Sequence, residues 1–406
     1  MSGRLRCFLY SQPLLGTGHF VRTFEIARAL ARCHDVFMVD GCRPIPRRTP
    51  EAPLTRINVP PIYRMDKGVV PVDESRGLDD VMAERKKALI ESIDMNPPDV
   101  LFIEHFPFSK WELSPEIITI IEGTRKRNER AKVICSVRDI VPMTPRESNL
   151  ILHRSRVLKT LDHYFDAMLV HADPRIVRLE DHVSWAKDID MPMEYTGYVS
   201  EKPNPVNAKA DRLKSQGPAG PSDGMAVVST GGGGNTELIF QCIQLWKDPR
   251  FAWGAERYTL VICVPLFCAK DAIRKMEEDA QGANIVLTPF TPDFIDYMRA
   301  ADFSISHAGY NTCANILETR TRAVVVPDIT MSDQLPRAEL LSRRGIVAML
   351  HPGILCGESL MKAIQEILDR PIREHGIDLE GAENTRVFVE SLVNVRSTRS
   401  IVDSPA

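Results

Sequence analysis

The sequence predicts an α/β protein made of two Rossmann-like, doubly wound domains that face a deep cleft. Three observations carry this expectation. Apolar strands alternate with amphipathic helices through both halves of the chain. A stretch at 200–223, rich in Pro, Gly, Ser and Lys, interrupts that alternation once. The 406 residues also exceed what one hydrophobic core usually supports.

In the first half, strands are expected at 5–10, 36–40, 100–104, 132–137 and 167–171, with helices at 19–31, 81–93, 117–127 and 146–161. The strands are continuously apolar, which implies a parallel sheet covered by helices on both faces. The stretch 43–72 is rich in Pro and basic residues without a clear period, so it reads as a loop, either beside the cleft or on the plain surface. The alternation restarts with strands at 225–230, 258–264, 284–287, 303–306, 323–326 and 346–350. Helices are expected at 238–246, 270–280, 291–299, 311–319, 334–343 and 359–368. The expected domains are therefore 1–205 and 222–385, with the tail 386–406 as a closing helix that packs on the first. Two such sheets leave a cleft between the carboxyl ends of their strands.

Composition narrows the function classes. The chain is 44% hydrophobic and 26% charged, as ordinary globular proteins are. A net charge of -3 gives no support for sequence-independent nucleic-acid binding. The nine cysteines include no C-x-x-C pair, so neither a disulfide framework nor a zinc knuckle is indicated. They fit small buried hydrophobes in a reducing cytoplasm. The apolar run 7–15 is interrupted by Ser11-Gln12-Pro13 and does not read as a signal peptide. No run reaches the roughly 18 apolar residues of a membrane span. The expected location is the cytoplasm, with a peripheral place on the membrane as the alternative.

Four turns carry chemistry. Val227–Ser229 runs as an apolar strand into Thr230-Gly231-Gly232-Gly233-Gly234-Asn235 and a helix start. A turn without Cβ atoms lets backbone N–H groups approach an anion, and the helix dipole points at the same place. A flexible turn is the plainer reading. Ser304–Ser306 leads likewise into His307-Ala308-Gly309-Tyr310-Asn311-Thr312 and a helix that contains Glu318. Glu318 is either a ribose acceptor or a solvated surface carboxylate. Asp333-Gln334 suits sugar hydroxyls, or Asp333 is an N-cap. Phe290 flanks a planar base or belongs to the core.

On the first-half rim, Gly16-Thr17-Gly18-His19 joins the first strand to the first helix. Its small residues admit a substrate, and His19 is a side chain suited to proton abstraction near neutral pH. The alternative is a capping or packing histidine. Glu104-His105 and Arg138-Asp139 end two further strands. Glu104 would assist His19, and His105, Arg138 and Asp139 would meet the acceptor. An ion pair between Glu104 and Arg138 is the competing reading.

As an ordered set these residues resemble GT-B glycosyltransferases of the family that includes the lipid II N-acetylglucosaminyltransferase, a family 28-like group, and in particular a bacterial branch of that type. The resemblance covers 225–368 in the second half, including Pro289-Phe290, Ala301-Asp302, Val326-Pro327 and Arg337-Ala338. In the first half it rests on 16–28 and 104–108. It implies that the second domain binds a nucleotide-diphosphate sugar and the first an acceptor. Glu318 matches the ribose-binding Glu, Gln334 the sugar-contacting Gln, and His19 the histidine near the acceptor hydroxyl. Two departures leave the donor open: four glycines with Asn235 replace a Gly-Gly-Ser loop, and His307-Ala-Gly replaces Ser-x-Gly.

The expectation is an inverting, metal-independent glycosyltransferase with no resident cofactor, using a UDP-sugar first among donors. The acceptor is a hydroxyl or amine of a small metabolite, a natural product or a lipid-linked sugar; the lack of a strongly basic or Trp-rich amphipathic helix weighs against a membrane-bound one. A nucleotide-sugar hydrolase of similar fold and a non-catalytic nucleotide-sugar-binding subunit are the alternatives. The oligomeric state is open.

Overall fold

The computed structural model describes residues 3–399, apart from 49, 51, 66–67, 142–149, 219, 234 and 373. In the first half β1 (Arg6–Tyr10), β2 (Asp35–Asp40) and β3 (Thr55–Asn58) are followed by an antiparallel hairpin, β4 (Ile62–Met65) and β5 (Gly68–Pro71). Then come β6 (Val100–Glu104), β7 (Lys132–Arg138), β8 (Ala167–His171) and β9 (Met193–Tyr195). The seven sheet strands lie in the order β3-β2-β1-β6-β7-β8-β9, all parallel. The intervening helices are α1 (Gly18–Ala31), α2 (Leu78–Met95), α3 (Ser114–Arg127) and α4 (Leu150–Tyr164). The expected helix start at 146 falls outside the described residues.

The second half opens with α5 (Ala208–Ser215) and a two-stranded hairpin, β10 (Gln216–Gly217) and β11 (Gly220–Pro221). Its sheet contains β12 (Gly224–Ser229), β13 (Tyr258–Cys263), β14 (Ile285–Thr288), β15 (Phe303–Ser306), β16 (Arg322–Val325) and β17 (Ala348–Met349). The order is β14-β13-β12-β15-β16-β17, again all parallel. The helices here are α6 (Glu237–Trp246), α7 (Ala252–Arg257), α8 (Lys270–Ala280), α9 (Phe294–Ala300), α10 (Tyr310–Thr319), α11 (Gln334–Arg343), α12 (Gly357–Asp369) and α13 (Gly381–Arg399).

Strand alternation sorts the core into two layers per sheet, because successive side chains point to opposite faces. Phe8, Tyr10, Leu101 and Ile103 face one way, among Leu89, Ile93, Ile117 and Ile121 of α2 and α3. Cys7, Leu9, Val100 and Phe102 face the other way, among Phe20, Phe24 and Ile26 of α1. Helix α13 lies along α1, and Val389 is fully buried in that second layer. Such a side chain contributes about 1.5–3 kcal/mol by burial. Helix α13 thus packs on the first half.

Two stretches read as loops from sequence hold structure. Thr55–Asn58 adds a short parallel edge strand whose Ile57 is buried, and the β4–β5 hairpin buries Ile62. One buried side chain per strand is too sparse a pattern to show a period of two. Within 200–223, α5 is anchored mainly by Ala210, buried against Tyr198, Met225 and Val227.

The strand order places the site. β1 has β2 on one side and β6 on the other; β12 has β13 and β15. At such a switch point neighbouring connections leave in opposite directions and open a crevice at the carboxyl ends. The four loops that leave β1, β6, β12 and β15 are among the turns singled out in the sequence.

Candidate active site

Helix α1 begins at Gly18, so His19 stands in its first turn and Arg22 lies one turn on, on the same face. Both meet Glu104 at the end of β6. The His19 Nδ1 and the Arg22 guanidinium share Glu104 Oε1, and the Lys110 ammonium binds Oε2. Burial opposes the charge on Glu104, but His19, Lys110, His105 and Arg22 outweigh it and hold the carboxyl well below the usual range. Burial pushes His19 down to about 4 although Glu104 pulls it up, so the imidazole is neutral at pH 7. Its side chain is 20% exposed, against 3% for Glu104. The sequence puts a neutral imidazole in the first turn of α1 with an ionised carboxylate behind it; its neighbours Thr17 and Phe20 line the cavity described below, and His19 does not.

His19, Glu104 and His105 bring three ligand atoms within 4.8 Å of one another, as a metal centre would. The charge balance does not fit a metal. Both Glu104 oxygens already carry cationic partners, and a divalent ion would face Arg22 and Lys110 at close range.

The second half meets this turn directly. Gly231 has φ +78, a conformation that favours glycine, and its N–H donates to Ser229 Oγ at 3.1 Å. A Cβ on Gly232 would lie 2.6 Å from the Thr17 methyl, so the glycine turn touches the turn before His19. Gly233 meets nothing within 4 Å, and Gly234 falls outside the described residues. Asn235 caps the start of α6 by accepting from Glu237 N at 3.2 Å. Gly309 precedes α10, Asn311 donates to Gly18 O at 3.0 Å, and Thr312 faces the cleft. The N-termini of α6 and α10 thus approach the crevice from the side opposite His19.

Between them lies a cavity of about 100 Å³, bounded by Phe24, Arg48, Glu201, Gly232, Phe290 and Asn315 among others. It is smaller than the roughly 300–1,000 Å³ of small-molecule sites. The segment 43–48 forms a strap along one side of it, with Pro46, Arg47 and Arg48 in its wall. Arg43 lies over the Tyr63 and Phe267 rings at 4.8 and 3.7 Å, and Arg48 pairs with Asp293 and Asp296 at 3.0 and 2.8 Å.

Several expected residues stand elsewhere. Glu318 does not line the cavity; its carboxylate accepts from Lys202 at 3.0 Å. It lies eight residues beyond the first residue of α10, and a rise of about 1.5 Å per residue carries it past the cleft. Asn315, one turn earlier, lines the cavity instead and contacts Glu201 Oε2 at 3.4 Å. Asp139 is no open acceptor group, because Arg337 grips it with two bonds of 2.7 Å. Asp333 pairs with Arg337 at 2.7 Å and Arg138 at 3.4 Å, which spends both Asp333 and Arg138 on one buried network. Asp333 precedes α11 without a side-chain cap bond. His105 is fully buried edge-on to His19, ring centres 5.0 Å apart, and burial drives it well below its usual range. Gln334 accepts from Asp328 N at 2.9 Å, and His307 Nδ1 bonds Val326 O at 2.7 Å. Gly16, at φ +64, shapes the turn before His19, and the expected pair of Glu104 with Arg138 is replaced by the pair with Arg22.

Arg22, Lys110, Glu201 and Arg48 went unread in the sequence, and Arg337 was read only as part of the resemblance. Arg22 was legible as the third residue after His19, and Lys110 as a cation six residues after Glu104. The others carry no local signal, because their partners are distant in sequence.

Residues 257–380 match the glycosyltransferase family 28 C-terminal domain. Over 213 residues the chain is 24% identical to a UDP-N-acetylglucosamine--N-acetylmuramyl-(pentapeptide) pyrophosphoryl-undecaprenol N-acetylglucosamine transferase of Acidiphilium cryptum. That match covers 52% of this chain and 57% of the relative, so the chain spans little more than half the length of that relative. The glycotransferase of kitacinnamycin superposes with a TM-score of 0.55 at 16% identity over 98% of each chain. A UDP-glucosyltransferase from Polygonum tinctorium does so with a TM-score of 0.58 at 14% identity, over 98% of this chain and 95% of its own. No helix among the described residues is long and apolar enough to cross a membrane. The chain therefore has the two-domain GT-B fold, and residues 257–380 of its second half are similar to the glycosyltransferase family 28 C-terminal domain.

Proposed function

We propose that this chain transfers a sugar from a nucleotide-diphosphate sugar to a hydroxyl or amine of an acceptor, with inversion and without a metal. The observation that carries the reading is the pairing of His19 with Glu104 in the first turn of α1, beside a cavity lined by Thr17 and Phe20 of that turn and by Gly232 and Thr312 of the second half. His19 Nε2 takes the acceptor proton, and Glu104 stabilises the imidazolium as it forms while staying ionised. The nucleophile attacks the anomeric carbon in line with the departing diphosphate. The backbone amide of Gly232 and the α10 N-terminus at Asn311 and Thr312 receive that charge, as helix starts do for phosphates.

Phe290 flanks the base. Asn315 and Glu201 take the ribose hydroxyls in place of Glu318, since they line the cavity and Glu318 does not. Gln334 contacts the sugar from the start of α11. The Acidiphilium cryptum relative is named for a UDP-sugar donor, which puts a UDP-sugar first here. The cavity admits such a molecule once the 43–48 strap lifts. The site of action is the cytoplasm, in solution or at the membrane surface.

The test is a thermal-shift and calorimetric screen of UDP, UDP-glucose and UDP-N-acetylglucosamine, followed by UDP release with candidate acceptors. Binding to the folded state raises the melting temperature. A chain that binds none of the three, and no other nucleoside diphosphate, contradicts the reading. Binding with turnover on water alone would favour the hydrolase.

A further inference from the structure

A second cavity, of about 430 Å³, lies at the opposite edge of the second sheet, where β16 begins rather than ends. It is lined by Arg320, Arg322, Arg344 and Arg370, with Glu374 as the one carboxylate among the described lining residues. Two of these arginines are neutralised: Arg320 by Glu374 at 3.1 Å, and Arg370 by Glu366. The other two have no carboxylate partner among the described residues. Arg322 Nε donates to Arg370 O at 3.2 Å, and Arg344 donates to the Arg175 and Ile176 carbonyls at 3.0 and 3.3 Å. Each guanidinium has five donors, so these bonds leave both with donors and a full charge to spare.

Thr321 and His375 add polar groups to the wall, and much of the rest is aliphatic. Ile316, Ile346 and Ile367 line it from the second half, and Ile176 lines it from the first. The cavity therefore offers unneutralised planar cations at one side and branched aliphatic side chains at the other. Its size is that of a small-molecule site. It also spans the seam between the halves, because Arg344 reaches across to the backbone that carries Ile176.

We propose that this cavity binds a phosphate monoester with an apolar body, at a site separate from the donor cleft. A dianionic phosphate matches two fork-shaped guanidinium groups better than a single charge does. The isoleucines then cover the body of the ligand. Occupancy would bridge the halves on the face away from the cleft.

The experiment is a calorimetric titration of the full chain with n-hexyl phosphate, inorganic phosphate and hexanol, each with and without saturating UDP. Hexyl phosphate should bind at least about tenfold tighter than inorganic phosphate, because each buried methylene adds to affinity. It should bind whether or not UDP is present, and hexanol should not bind. Arg344→Gln, at an exposed position, and Arg322→Gln should each weaken hexyl phosphate about tenfold or more while UDP affinity stays put. If Arg322→Gln does not fold, Arg344→Gln decides. Equal affinity in a folded Arg344→Gln chain overturns the proposal. So does competition between hexyl phosphate and UDP, or binding of hexyl phosphate no tighter than that of phosphate.

Discussion

Arg337 of the second half and Asp139 of the first meet in a two-pronged ion pair, both bonds 2.7 Å, with side chains 2% and 0% exposed. A third bond from Arg337 reaches Ala308 O at 2.8 Å, so the same residue holds the turn that starts α10. One side chain joins the halves and shapes the cleft.

Removing one member of a buried pair leaves a charge without a partner. Arg337→Met should lower stability by about 3–5 kcal/mol in urea unfolding. The double variant Asp139→Leu with Arg337→Met should recover part of that loss, as coupled sites do. Additive losses would mean that the pair does not couple the halves.

Asn315→Ala and Glu201→Gln should each weaken UDP binding about ten- to a hundredfold, the effect of losing a hydrogen bond that involves a charged group. Glu318→Ala should bind UDP as the parent does. Calorimetry on the three folded variants checks the assignment, and a large loss confined to Glu318→Ala would reverse it.

Glu201 also gives a pH signature. Burial first, then Glu25, pushes its carboxyl up to about 7. The charged form, the better acceptor for two hydroxyls, therefore accumulates as pH rises through that value. UDP affinity should strengthen over the interval from one unit below to one unit above it. Glu201→Gln should remove that part of the pH dependence, and an identical profile in both chains would exclude Glu201. His19, pushed down to about 4, stays neutral across this interval and should not add to the change.

The central strands of both sheets were legible because each is a nearly continuous apolar run, such as Val100–Ile103 and Val227–Val228, whereas the short edge strands β3 and β9 were not. The four turns were legible because small residues and strand ends coincide there. The sequence places Glu318 on α10 but does not show that its carboxylate meets Lys202. For Asp139 and Asp333 the unread feature is the ion-pair partner. A rim carboxylate reads as substrate-facing until its partner is known, and Arg337 lies 198 positions from Asp139. Glu201 sits in a stretch whose composition reads only as linker.

Gly232→Ala places a methyl 2.6 Å from the Thr17 methyl. It should force the glycine turn away from α1 and reduce turnover, with little change in melting temperature. Thr17→Gly in the same chain should restore part of the rate. Unimpaired turnover in Gly232→Ala would show that the two turns need not touch during the reaction.

Turnover should persist in excess EDTA, because Arg22 and Lys110 already balance Glu104 and the diphosphate is received by backbone amides. Loss of activity on chelation, with rescue by Mg²⁺ or Mn²⁺, would contradict metal independence.

The most direct test is His19→Ala, with melting temperature, UDP affinity and the rate of UDP release from the donor measured on one sample. A lost general base should lower that rate by about 10²–10⁴, while the protein stays folded and UDP affinity is unchanged. A folded, UDP-binding His19→Ala chain that turns over at the parent rate would contradict the account.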